Sequence, residues 1–278
     1  MNLLAAVTLV ALLAVGGAPK LPPNDPAWHE QASAGDVNLP AAWAVTTGDP
    51  AVVIAVVDTG LTSSAELAPN VVPGWDFVDG DAIPTDTWGH GSQVASVAAA
   101  VGDNSIGIAG ACWRCKVMPV RIATGREVTQ TRIAVGIRYA VDHGARIVNV
   151  SIDAAGPPAP ELVDAVAYAV AHDVLIVASA GNNGNDDPVY PAALPGVLAV
   201  GASDEANHVE PWSTRGDWVA LTAPGCEIVY DPWVGPASIC GTSFTPPLVA
   251  GIAGLLLSID QHLRASDLAR ILTTTATP

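Results

Sequence analysis

A carboxylate, an imidazole and a hydroxyl, the side chains that nucleophilic catalysis uses, stand at three marked places in this chain. Asp58 ends the β-branched apolar run AVVIAVVD and is followed by Thr59 and Gly60. His90 lies between Gly89 and Gly91 in WGHGSQVASVAAA, where a helix is expected to begin. Backbone this bare lets another chain approach the imidazole closely. Ser243 opens an apolar helical stretch, and the following Pro246 and Pro247 are tolerated because a first turn has no amide hydrogen bonds to lose. Each residue also has an ordinary structural role open to it: a turn cap for Asp58, a packed histidine for His90, an N-cap for Thr242 or Ser243. A serine at a helix start gains something further. The helix N-terminus offers N–H groups and positive potential to an oxyanion formed when the hydroxyl attacks a carbonyl.

The elements that must position these groups follow from hydrophobic pattern. AVVIAVVDTG, KVMPVRI, RIVNVSI, DVLIVASAG and GVLAVGAS are short, nearly continuous apolar runs, the pattern of strands buried on both faces. Between them the pattern predicts helices over about 91–101, 129–143 and 160–172, with two more at about 243–258 and 265–273. Strand, helix, strand in succession predicts an α/β fold, a mostly parallel central sheet with helices on both faces. Functional groups in such sheets gather at the carboxyl ends of the strands, which is where Asp58 falls.

With 278 residues, half of them hydrophobic and 14% charged, the chain suits one large globular domain. A formal charge of −16 argues against nucleic acid or an anionic membrane as partner and for a solvated acidic surface. The apolar run at residues 3–15, with Gly16 and Ala18 after it, reads as a secretory signal over 1–18, although no Lys or Arg precedes it. Only an uncleaved segment would hold the protein at a membrane. A Pro-rich arm over 19–45 lacks periodicity and is expected to lie extended over a domain spanning 46–278. In an exported chain the four cysteines favour disulfides, Cys112 with Cys115 and Cys226 with Cys240, rather than a zinc site or a redox CxxC.

Taken in order, DTG, GHGS, AGNNG and GTSFTPP resemble the subtilisin-like serine proteases, peptidase family S8, from about Pro23 to the end of the chain. The resemblance implies a subtilisin-like three-layer fold and a monomeric endopeptidase acting on polypeptides. It makes Ser243 the nucleophile, His90 the general base and then acid, and Asp58 the residue that holds the imidazole tautomer. Asn182 would donate its side-chain amide to the oxyanion beside the Ser243 N–H. Ser151, Ile152 and Asp153, with Ala178, Ser179, Ala180 and Gly181, would be two strand edges between which a peptide lies extended, and Val189 the floor of the first specificity pocket. No cofactor is required for the chemistry, and Asp25, Glu66 and Asn104 resemble a structural calcium site.

Several residues depart from the family pattern. The usual SLGG is SIDA here, so Asp153 stands where a glycine lets substrate pass, and either recruits a basic side chain or obstructs the cleft. Gln93 replaces a second histidine in HGSQVAS, and TPP replaces ATP after Phe244. The resemblance also leads one to expect an inhibitory propeptide and a final strand and helix, for which the sequence has no evident counterpart. A second reading keeps the fold but makes the protein a catalytically silent peptide binder. An α/β-hydrolase is disfavoured because its nucleophile precedes the other triad members, whereas here the serine comes last.

Overall fold

The computed structural model describes residues 21–154 and 156–277, and the expected signal segment, 1–18, lies outside the described residues. Its strands carry apolar side chains toward two separate layers. In β1 (Val53–Asp58), Ile54 and Val56 enter one core while Ala55 and Val57 enter the other. The same two-sided pattern runs through β4 (Ile147–Val150), β5 (Leu175–Ser179) and β6 (Val197–Ser203). With β2 (Trp75–Asp76), β3 (Lys116–Arg121) and β7 (Leu221–Pro224) they form a parallel sheet in the order β2-β3-β1-β4-β5-β6-β7. Strands apolar on both faces need cover on both faces, and the helices provide it.

Helix α3 (His90–Ala99), α6 (Thr245–Ile259) and α7 (Ala265–Thr275) pack in the layer of Ile54 and Val56. Helices α4 (Gln130–Asp142) and α5 (Pro160–Ala171) pack in the layer of Ala55 and Val57. The three-layer α/β arrangement is thus the expected one, and the five predicted helices are all present. Chain direction explains the division. The step from β1 to β3 runs one way along the sheet and the steps from β3 to β4 and β4 to β5 run the other, so right-handed crossovers place their helices on opposite faces. Neighbouring β1 and β4 therefore send their chains apart at their carboxyl ends and leave a crevice there. Asp58 closes one of these strands and Ser151 follows the other.

The arm is not extended throughout, as the lack of periodicity led us to expect. It turns through a 3-10 segment (Trp28–Glu30) and two short helices, α1 (Ala32–Asp36) and α2 (Leu39–Trp43). Packing overrides the local pattern: the fully buried Trp43 sits 5.5 Å from the Trp28 ring and 4.6 Å from that of Trp113, and donates from Nε1 to the Ala111 carbonyl. Ahead of Ser243, β8 (Cys226–Asp231) and β9 (Gly235–Cys240) form an antiparallel hairpin. Both expected disulfides are present, and Cys226–Cys240 closes the base of this hairpin. Closing a loop of this length stabilises by about 3 kcal/mol on the chain-entropy account.

The arm and the hairpin meet at a buried carboxyl. Ser33 Oγ donates to Glu227 Oε2 at 2.5 Å, and burial, with the Asp36 charge adding to it, pushes the Glu227 carboxyl up to about 8. The folded protein therefore holds a proton that the unfolded chain, with an ordinary value of 4.5, has released. Stability contributed by this group falls as pH rises from about 4.5 to about 8. Glu227→Gln is expected to lose less thermal stability than the parent between pH 6 and pH 9, measured by unfolding monitored at both.

Candidate active site

Asp58, at the carboxyl end of β1, is fully buried, and its Oδ1 lies 2.7 Å from His90 Nδ1 while also accepting the Thr59 N–H at 2.8 Å. Asp58 Oδ2 is buried without a partner among the described residues, so the imidazole and that N–H carry most of the compensation for its charge. His90 is the first residue of α3, entered through Gly89 in the left-handed region with φ 94°. Burial disfavours the imidazolium, yet the charge and hydrogen bond of Asp58, with the charge of Asp86 behind them, hold the His90 pKa above 6.5. The positive charge of Arg126 works the other way.

What sets the Asp58–His90 distance is a residue that sequence reasoning did not single out. Asp86 is 2% exposed and accepts five hydrogen bonds: from Thr59 Oγ1, the Trp88 N–H and the Gly89 N–H on Oδ1, and from the Ser92 N–H and hydroxyl on Oδ2. Thr59 Oγ1 in turn accepts the Gly91 N–H at 2.9 Å. The turn after β1 and the first turn of α3 are thereby tied to one carboxylate. An Asp four residues before a Gly-His-Gly helix start is the signal available in sequence, since helix N-termini favour carboxylates.

Ser243 stands just ahead of α6, which begins at Thr245 with Phe244 as N-cap and no side-chain capping bond, so the capping role open to its hydroxyl is not taken up. Ser243, His90, Asn182, Ser151, Ile152 and Asp153 line one cavity of about 640 Å³. Among the described residues no hydrogen bond joins Ser243 to His90. Asn182 Oδ1 accepts both the Thr242 N–H (2.8 Å) and the Thr242 hydroxyl (3.0 Å), which leaves its Nδ2 for the cavity.

The remaining expected residues divide. Ala178 pairs with Val150 in adjacent strands and Ser179 with Val200, and the Ala180 N–H donates to the Val200 carbonyl. Among the described residues no pairing joins the two segments beyond Val150 and Ala178. The segments part beyond Val150, where Ser151, Ile152 and Asp153 continue to a bridge between Ala154 and Tyr190. Val189 packs against Gly181 at the far side of that gap. Asp153 is exposed at the cavity, and partial burial raises its carboxyl pKa.

Asp25, Glu66 and Asn104 are brought together away from the cavity. Asp25 accepts the N–H groups of Asp103 and Asn104, Glu66 Oε1 accepts that of Ile108, and Asn104 Nδ2 lies 3.5 Å from Glu66 Oε2. Burial, with the Asp25 charge nearby, pushes Glu66 up to about 7. Among the described residues no cluster of three or more His, Cys, Asp or Glu side chains converges as a metal site. Asn104 turns its amide nitrogen to Glu66 and its oxygen to the Ile106 N–H (2.7 Å), so the hard oxygen ligands presented here are the two carboxylates, and the amide would have to turn over to join them on calcium.

A parallel α/β sheet with an Asp-His contact at one strand end, a serine ahead of a helix and an amide aimed at the same cavity is the arrangement of a serine hydrolase. Residues 49–278 match the subtilase family of peptidases. Thermitase of Thermoactinomyces vulgaris is 40% identical over 258 residues, 91% of either chain. The halolysin-like extracellular serine protease Nep of Natrialba magadii is 37% identical over 88% of this chain, which spans 47% of that protein. A solved protease structure from Pseudoalteromonas arctica superposes with a TM-score of 0.85 at 26% identity, covering 92% of this chain and 93% of the other. The chain belongs to the subtilase family and is a serine-type endopeptidase, of a kind that needs no cofactor for its chemistry.

On the reading of His90 as the general base, the proton that Asp58 helps it hold must be lost before it can act, so activity is expected to rise with pH on an acid limb. Removing the Arg126 charge relieves repulsion of the imidazolium. In Arg126→Ala the acid limb of kcat/KM should therefore move to higher pH, read from pH–rate profiles of the two proteins.

Proposed function

We propose that this protein is a secreted endopeptidase that hydrolyses peptide bonds through an acyl-enzyme on Ser243. The observation that carries the reading is the Asp58–His90 contact opening onto the cavity that Ser243 and Asn182 also line. Ser243 Oγ attacks the scissile carbonyl as His90 Nε2 takes its proton. Asp58 Oδ1 receives the Nδ1–H, keeps the ring in the tautomer whose Nε2 is basic, and stabilises the imidazolium. Charge that develops on the carbonyl oxygen meets Asn182 Nδ2 and the Ser243 N–H, which has no acceptor among the described residues. His90 then gives its proton to the departing amine, and water enters by the same steps in reverse to free the acid. Ser151, Ile152 and Asp153 line the acyl half of the cleft in this reading, with Val189 and Gly181 at the base of the pocket beyond them.

Secretion is supported by the signal-like segment over 1–18 and by two disulfides, which persist in oxidising compartments. We take the peptidase domain as 46–278 with the arm packed on it, acting as a monomer. The silent-binder reading rests on Asp153, whose exposed carboxylate stands in the cleft. A fluorophosphonate should label Ser243 in the folded protein, and Ser243→Ala should abolish both labelling and peptide turnover. Asn182→Ala should lower kcat about a hundred to a thousandfold, a range measured in this family. Peptide binding without turnover, the same in Ser243→Ala, would decide for the silent binder.

We also propose calcium at Asp25, Glu66 and Asn104, where it would neutralise Glu66 in place of a proton. At pH 8, calcium at a hundred times its dissociation constant should stabilise the fold by about 2.7 kcal/mol. Glu66→Gln should remove that increment in a thermal melt with and without chelator; no shift in the parent protein leaves the pair simply solvated.

A further inference from the structure

The imidazole of His90 is bounded by more than its carboxylate. Trp88 stacks on it with ring centroids 5.4 Å apart and planes inclined by 23°, and Phe244 meets it at 5.9 Å and 48°. The two rings come from separate elements, Trp88 from the turn before α3 and Phe244 from the N-cap of α6, and both line the cavity. Trp88 keeps 37% of its surface in water, so it is not a core residue that happens to touch a histidine. Its backbone is nevertheless fixed: the Trp88 N–H donates to Asp86 Oδ1 at 2.9 Å, and the Gly89 N–H donates to the same oxygen at 2.7 Å.

A stacked indole acts on an imidazole in two ways of opposite sign. As a wall it keeps water off the ring, which disfavours the charged form. As a π face it attracts a cation lying within about 6 Å of its centroid, and Trp does so best among the aromatic side chains. The charged groups facing the imidazole are Asp58 at Nδ1, Asp86, Arg126 and, on the wall of the same cavity, Asp153. Asp58 occupies an edge of the ring, whereas the near-parallel indole is set against a face. In the mechanism above His90 becomes positive each time it takes a proton. A face that favours the imidazolium therefore acts at every proton transfer, on a charge that forms during the reaction.

We infer that Trp88 is a positioning residue for His90: its indole face holds the imidazolium and, with Phe244, fixes the plane in which Nε2 meets the cavity. The kinetic consequence rests on the reading of His90 as general base, and the test separates the two. The contact itself is read by proton NMR titration of the His90 ring in a Ser243→Ala background, which cannot digest itself, with the signal identified by its loss in His90→Ala. Adding Trp88→Ala is expected to lower the His90 pKa by about half a unit, the size of a solvent-exposed cation–π contact. Trp88→Leu keeps an apolar wall without a π face and should lower it at least as far, while the conservative Trp88→Phe should restore most of the difference. With Ser243 present, Trp88→Ala should move the acid limb of kcat/KM to lower pH by the same amount and reduce the plateau above it about threefold. An unchanged His90 pKa in Trp88→Ala, or one that rises as water returns to the ring, overturns the inference. A parent protein that turns over no peptide while the NMR shifts appear overturns the protease reading and leaves the aromatic contact standing.

Discussion

The buried carboxylate of Asp86 is the constraint on which the candidate site depends. A strand end and a helix start that meet across a crevice have no reason of their own to keep a hydrogen-bond distance between two particular side chains. Five donors converging on one carboxylate supply that reason, because moving α3 relative to the turn after β1 would strand several of them in a dry environment. The short Asp58–His90 contact is thus a consequence of a neighbouring network as much as of its own attraction. The same network adds its negative charge to that of Asp58, which is the larger cause of the raised His90 pKa.

Much of the fold was legible in the sequence because its signals are local. Five apolar runs gave strands, five periodic stretches gave helices, and the order strand, helix, strand limited the topology to a covered parallel sheet. Asp58, His90 and Ser243 were legible for a related reason: each sits at a boundary marked by Gly, Pro or the end of an apolar run. The neighbours of Ala178 were not. Whether a strand edge is free depends on its neighbours in space, and Ala178 pairs with Val150 from a strand 28 residues earlier in the chain.

Asp86, Gln93 and the coiled arm mark the same boundary between local and distant information. Asp86 is one of many carboxylates in an acidic chain, and nothing in its own neighbourhood announces five donors. Gln93 reads as a lost histidine until Asp231 is found opposite it, 138 residues away. The short helices of the arm follow from a slot between Trp28 and Trp113 that exists only once the domain has formed. Such residues show why the departures from a family pattern carry information of their own: a replaced side chain commonly has a new partner.

The pairing of Asn182 with Thr242 bears on mechanical tolerance. Asn182 follows β5 and Ser243 follows the β8–β9 hairpin, so their separation would ordinarily accumulate the thermal displacements of two distant segments. Because the Asn182 amide oxygen is held by the residue immediately before Ser243, the serine and the amide share a single frame of reference. Breathing of the sheet or drift of the hairpin then carries both together, and the alignment that an oxyanion would meet is as narrow as one pair of hydrogen bonds allows.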